Sequence, residues 1–295
     1  MKLFDLAKVH SVEAGVMAFG FFDSIHIGHK KVIGDAVAMA KSMGTVSSVF
    51  LFRNNIYSLI GLPKEPIFDF EERVSFIEDL GADSVFYIDA DKVFLSMSPY
   101  EFIAYLKDRV MIRGFTCGRD FTFGSKGIGT PDDLMTAFGR GAVSDLLLCD
   151  GEKVGTDRIK QALANGDISL AERFLGRTFS LRREVLRGRS DGRKMGFPTL
   201  NVALSSVPLK SGVYFTNVYI NDHKYKAVTN VGDHPTFADP IRNIESHLLD
   251  YDGDLYGYKV IIEFLHYRRS IEKFGSASEL ARRIEQDVTA RRAYD

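Results

Sequence analysis

The chain has 295 residues, 45% hydrophobic and 26% charged, so it is long enough for two packed cores and too apolar to stay disordered. A formal net charge of -1 gives no basic field, which argues against a nucleic-acid coat or a membrane-surface protein and leaves small molecules as the expected partners, with oligomeric state unread. No span approaches the roughly 20 apolar residues of a membrane helix. The N-terminal stretch carries scattered charges in place of a signal-peptide core, and Cys117 and Cys149 lack metal-ligand spacing. A reduced cytoplasmic setting is expected, with both cysteines in the core.

From residue 16 to about 150, short apolar runs alternate with amphipathic segments. VMAFG (16–20), TVSSVFLF (45–52), SVFYID (84–89), VMIRGF (110–115) and SDLLLC (144–149) read as strands. Residues 29–43, 69–80 and 98–109 read as helices, the last opened by the capping box SPYE with proline at its first position. Alternation of this kind predicts a parallel α/β sheet with helices on both faces.

A helical stretch, TDRIKQALANGDISLAERFLG (156–176), is broken at Asn165-Gly166 and joins this half to a different texture. After about residue 178 the chain reads as short strands between turn signals: FSLRREVLRG, LNVAL, GVYFTNVYI, HKYKAVTNV, IESHLLD and YKVIIEFLHY. They predict a small antiparallel barrel closed by a C-terminal helix, SASELARRIEQDVTARRAY. The expected domains are 1–180 and 181–295.

Two stretches carry chemistry. In FGFFDSIHIGHKKVI (19–33), His26 and His29 flank Gly28 where a strand gives way to a helix. A glycine there lets backbone approach a phosphate, the helix N-terminus favours an anion, and imidazole N–H groups can donate to oxygens that gain charge as a phosphoanhydride breaks. The plainer reading is that one histidine packs and the other caps the helix. In GRSDGRKMGFPTLN (188–201), a glycine-rich basic loop suited to phosphates precedes Thr199 and Asn201, two oxygen-bearing side chains able to hold Mg²⁺ beside ATP. The alternative is a solvated hairpin loop.

The first stretch resembles the HxGH signature of the nucleotidylyltransferase superfamily. More specifically, it is similar to the GNFDGVHLGH-like run of the prokaryotic bifunctional riboflavin kinase and FMN adenylyltransferase family, also called FAD synthetases. The matching residues are Gly20, Phe22, Asp23, His26, Gly28 and His29. GRDFTFG (118–124) resembles a second family run, GxDFxFG, within which Phe121 and Phe123 are candidates for the flavin or for the core. Phe21 stands at the family's asparagine, Ser24 at its glycine, and FRNN (52–55) at its proline-histidine segment. VGTDRIK (154–160) stands at its phosphate-binding run, keeping Thr156 and Arg158, with Gly155 and Lys160 as departures.

The second stretch resembles the family's riboflavin kinase motif GxxxGRxxGFPTAN. GVY (212–214), NVGDHPTF (230–237) and ESHLLDYDGDLYG (245–257) continue the resemblance, which covers nearly the whole chain. It implies Glu245 as catalytic base, and Thr199 and Asn201 as Mg-ATP ligands. It also implies Gly188, Gly192, Arg193, Gly196 and Pro198 at the nucleotide and Asn230 at the flavin. In the first half it implies Gly20, Phe22, Asp23, Gly28 and Arg158 as nucleotide-binding, with His26 and His29 catalytic.

The implied activity is ATP- and Mg²⁺-dependent conversion of riboflavin to FMN, then adenylylation of FMN to FAD with release of pyrophosphate. Three other readings keep parts of the pattern: a kinase with a non-catalytic first domain, a flavin-binding regulatory protein, and an adenylyltransferase acting on another phosphorylated acceptor.

Overall fold

Apolar runs of the first half form strands and the segments between them form helices, in a computed structural model that describes all residues except 63, 150, 188–196, 205–206, 222 and 234–241, and only the backbone at 233 and 242. The chain divides into two units, Met1–Thr156 and Asp157–Asp295. The first contains β1 (Lys2–Asp5), β2 (Val12–Phe19), α1 (Ile27–Ser42), β3 (Ser47–Phe52), α2 (Ile56–Leu59), α3 (Phe70–Asp79) and β4 (Ser84–Ile88). It continues with α4 (Lys92–Leu95), α5 (Pro99–Arg109), β5 (Val110–Gly118), α6 (Pro131–Phe138) and β6 (Gly141–Ser144), then a small hairpin of β7 (Leu148–Cys149) and β8 (Glu152–Lys153).

The six strands from β1 to β6 are parallel, in the order β1-β4-β3-β2-β5-β6. Both faces are covered, so β2 reads as an almost unbroken apolar run. Met17 and Phe19 enter one core with Phe50, Phe86 and Phe115, while Val16 and Ala18 enter the other with Val49, Leu51 and Ile33 of α1. The chain leaves β2 toward β3 on one side and returns to β5 on the other. Strand order therefore reverses at β2, and the crevice beyond the carboxyl ends of β2 and β5 is where an open α/β sheet takes its ligands.

One strand differs from expectation. SDLLLC contributes only Ser144 to the sheet, because β6 occupies Gly141–Ser144. A Cβ at Gly141 would lie 2.2 Å from the Phe115 ring, so the close approach of this short strand requires glycine. The leucines instead leave the sheet, with Leu146 and Leu147 lining a cavity and Leu148 exposed on the hairpin. Cys149 is accordingly half-buried rather than a core residue, whereas Cys117 in β5 is buried and its thiol is pushed up to about 12 by burial.

The second unit holds nearly all of α7 (Thr156–Asn165), followed by α8 (Ile168–Leu175), with Gly166 in the left-handed region between them. Its strands are β9 (Phe179–Glu184), β10 (Leu200–Ala203), β11 (Gly212–Ile220), β12 (His223–Asp233), β13 (Arg242–Leu248) and β14 (Lys259–Arg269), and α9 (Ala277–Ala293) ends the chain. These strands pair antiparallel in the order β10-β13-β12-β11-β14-β9. A bridge between Leu186 and Asn201 draws the two sheet edges together, giving the small barrel expected. Buried Arg291 anchors α9 by donating to the carbonyl of Thr216 and, at 2.6 Å, to Oδ1 of Asn217.

Candidate functional site

The connection from β2 to α1 turns sharply through Phe22 and Ile25, whose φ angles are 44° and 45°. Left-handed backbone costs a non-glycine residue about 1–2 kcal/mol. Burial of both apolar side chains offsets that cost. At Gly20, a Cβ would sit 2.7 Å from the Phe22 ring, so a side chain there would displace the turn.

His26 is the N-cap of α1: its Nδ1 accepts the backbone N–H of His29 at 3.1 Å. The two rings stack with centroids 3.6 Å apart, and a Cβ at Gly28 would lie 3.1 Å from the His26 ring. Burial, reinforced by His29, pushes the His26 pKa down to about 3, so its ring is neutral at pH 7. With Nδ1 accepting, the neutral ring carries its proton on Nε2. Packing and capping thus coexist with a donor available elsewhere on the ring.

Both histidines line a cavity of about 450 Å³ at the carboxyl ends of the sheet strands. Its apolar wall includes Phe50, Phe52, Phe102, Phe121 and Phe123, while Gly20, Gly28 and Gly155 supply exposed backbone. Phe121 stacks at 5.8 Å on Phe123 and at 6.0 Å on Phe19. Phe123 is buried, so it serves the core and the cavity wall together. Lys153 and Asp120, paired at 2.6 Å, add charge to the same rim.

Asp23 is buried behind the loop, where it accepts a hydrogen bond from the Thr156 hydroxyl, which also bonds the Ser24 hydroxyl at 2.9 Å. Asp23 thus holds the start of VGTDRIK against the histidine loop. Asn54 forms a two-way clamp with the backbone of Ala90, and Phe21 lines the cavity with its ring edge-on to Tyr57. Arg158 and Lys160 lie on α7 within the second unit.

In the barrel, register assembles the second set. Asn201 in β10 lies directly opposite Glu245 in β13, which lies directly opposite Asn230 in β12. Facing residues of antiparallel strands project to one side, so the three form a row. Pairing with β10 and β12 runs β13 from Arg242 to Leu248 and puts Glu245 at its middle.

Asn243, which the sequence reading did not single out, donates from Nδ2 to Oδ1 of Asn201 at 3.1 Å. Thr199 and Pro198 line a small cleft with Tyr251, Asp254 and Leu255, and the Pro198 carbonyl lies 2.9 Å from Nδ1 of His247. Asp254 accepts the Tyr256 backbone N–H at 3.1 Å, the local bond by which an aspartate side chain closes a turn. Gly188, Gly192, Arg193 and Gly196 lie outside the described residues, as does the HPTF portion of NVGDHPTF.

The histidine loop and the barrel row fall in separately matched segments. The FAD synthetase family matches residues 8–147 and the riboflavin kinase family residues 175–294. Over 285 residues the chain is 36% identical to the bifunctional riboflavin kinase/FMN adenylyltransferase of Bacillus subtilis, covering 92% of this chain and 90% of that protein. The chain belongs to the bifunctional riboflavin kinase/FMN adenylyltransferase family.

A family relative from Haemophilus influenzae is 30% identical over 288 residues, covering 94% of this chain and 93% of that one. A solved structure described as a macrolide-efflux protein from Streptococcus pneumoniae shares the fold, with a TM-score of 0.88, 27% identity and coverage of 100% and 99%. Among the described residues of this chain, no helix is long and apolar enough to cross a membrane. Within the family frame, His26, His29, Phe121 and Phe123 lie in the FAD synthetase segment, and Asn201, Asn230 and Glu245 in the riboflavin kinase segment. Arg158 falls between the two.

Proposed function

We propose that this chain phosphorylates riboflavin to FMN in its barrel and adenylylates FMN to FAD in the cavity of its first unit, with the functional division at residue 180. The carrying observation is that one chain holds both constellations, the stacked His26–His29 pair in an aromatic cavity and the Asn201–Glu245–Asn230 row, each inside its own matched segment.

In the kinase step, the Glu245 carboxylate takes the proton of the riboflavin 5′-hydroxyl as that oxygen bonds the γ-phosphorus of ATP and ADP departs. Asn230, beside Glu245, orients the flavin. The Thr199 hydroxyl and Asn201 amide oxygen are hard oxygen donors that fit Mg²⁺, which takes few protein ligands when phosphates supply others. Among the described residues no cluster of three or more His, Cys, Asp or Glu offers an alternative. Bound Mg²⁺ would neutralise charge on the phosphates. Pro198 shapes the approach to Thr199.

In the adenylyl step, an FMN phosphate oxygen bonds the α-phosphorus of ATP and the bond to pyrophosphate breaks. The neutral His26 and its neighbour His29 donate to phosphate oxygens as charge builds on them. Gly20 and Gly28 let backbone approach the nucleotide, and Phe22 and Asp23 hold that turn. Phe121 and Phe123 offer an apolar face to the isoalloxazine.

The partners are small molecules, with neither nucleic acid nor membrane involved, and the setting is cytoplasmic. Incubation of the pure protein with riboflavin, ATP and Mg²⁺, followed by chromatography, tests the reading. FMN and FAD together support it; FMN alone reduces the first unit to a scaffold, and unchanged riboflavin makes the chain a flavin-binding protein.

A further inference from the structure

We infer that Asn243 is a positioning residue for the kinase metal site, fixing the Asn201 carboxamide so that its oxygen, and not its amino group, is offered to the cation. The inference rests on the reading of Asn201 as a metal ligand. A carboxamide can turn over and exchange its two ends, and its NH₂ group is a donor that cannot hold a cation. A metal ligand of this type therefore needs something that sets its orientation.

The orientation is traceable to a group whose polarity is fixed. The backbone N–H of Ile244 can only donate, and it meets the side-chain oxygen of Asn243 at 3.0 Å. That leaves the Asn243 amino group to face Asn201, where it donates to Oδ1 at 3.1 Å. Asn201 cannot turn over without setting two amino groups against each other. Its Oδ1 accepts one bond from Asn243 and keeps a second lone pair for an ion. The backbone is pinned as well, since the Asn201 carbonyl accepts the Leu186 N–H at 2.7 Å. Asn201 is 8% exposed, so little space remains for other rotamers. Asn243 stands two residues from Glu245, on the same face of β13, which places the orienting group beside the proposed base.

The test is calorimetric titration of ADP into the full chain at a series of Mg²⁺ concentrations, which needs no turnover. Asn243→Leu keeps the approximate shape and removes the donor. The Mg²⁺ concentration giving half of the maximal gain in ADP affinity is expected to rise about tenfold, the lower end for loss of a group that orients a metal ligand. ADP affinity without Mg²⁺ should match the parent, whereas a merely structural loss would weaken both. Asn243→Ser, which retains a hydroxyl donor, should fall between the two and serves if the leucine variant fails to fold.

A Mg²⁺ midpoint within twofold of the parent in folded Asn243→Leu, or in Asn243→Ser where the leucine variant does not fold, with Asn201→Ala shifted, would overturn the role of Asn243 alone. An unshifted midpoint in Asn201→Ala would overturn the metal assignment itself, and this inference with it.

Discussion

Asn201 and Glu245 are direct cross-strand partners between β10 and β13, although 44 residues separate them in the chain by their numbering. Their strand pairing brings a neutral oxygen donor and a carboxylate to one face, the combination needed to place a cation and a base on opposite sides of a transferring phosphoryl group. Asn201→Ala is expected to raise the Mg²⁺ requirement for FMN formation about tenfold. FAD formation from supplied FMN should keep its parent rate. Steady-state rates against Mg²⁺ for each half reaction check this, and an equal loss in both would contradict separate sites.

The buried, neutral His26 makes stability depend on pH. The unfolded chain binds a proton below the ordinary histidine value of 6.5, whereas the folded ring resists it until about 3. This contribution is fully present above 6.5 and is lost as pH falls toward 3, by up to about 1.4 kcal/mol per pH unit. His26→Asn retains a helix-capping side chain. Between pH 7 and 5 the parent should lose about 2 kcal/mol more stability than the variant in urea unfolding. Identical pH dependence would show that His26 is not the group responsible.

Thr156 joins the histidine loop to the start of α7 through Asp23 and Ser24. Thr156→Val preserves shape and removes the hydroxyl from a buried carboxylate. A loss of about 1–3 kcal/mol in protection of β2 and β5 amides is expected from hydrogen exchange. Unchanged protection would remove any structural importance from this contact.

Phe121 presents a half-buried ring to the cavity and stacks on Phe123. Phe121→Ala should weaken FMN binding about tenfold, the scale of one lost aromatic pair with its buried area. ATP binding, followed by calorimetry, should change less than twofold. Equal weakening of both ligands would assign Phe121 to the core of the site instead of to the flavin.

The strand-to-helix histidine pair was legible because its parts are local: a buried strand, a turn, and a helix start within 15 residues. The same holds for the run ending in Thr199 and Asn201. Asn243 was invisible because its role depends on pairing with a residue 42 positions away. Ser24 read as a departure from a glycine, and only the fold brings it to Thr156, 132 residues on. SDLLLC misled for a different reason, since a cavity wall and a sheet core ask for the same apolar residues. Periodicity registers that leucine is covered or clustered, and is blind to whether the cover is protein or ligand.

Separation of the two activities by single substitutions tests the two-site account most directly. Glu245→Gln and His29→Ala would each be offered riboflavin or FMN, with ATP and Mg²⁺, and the flavin products resolved by chromatography. Glu245→Gln should lose roughly 10²-fold or more in FMN formation and retain FAD formation from FMN. His29→Ala should retain FMN formation and lose about 10²-fold in FAD formation, the effect of one missing transition-state donor. Loss of both activities in a folded variant, or parent rates in both variants, would contradict the account.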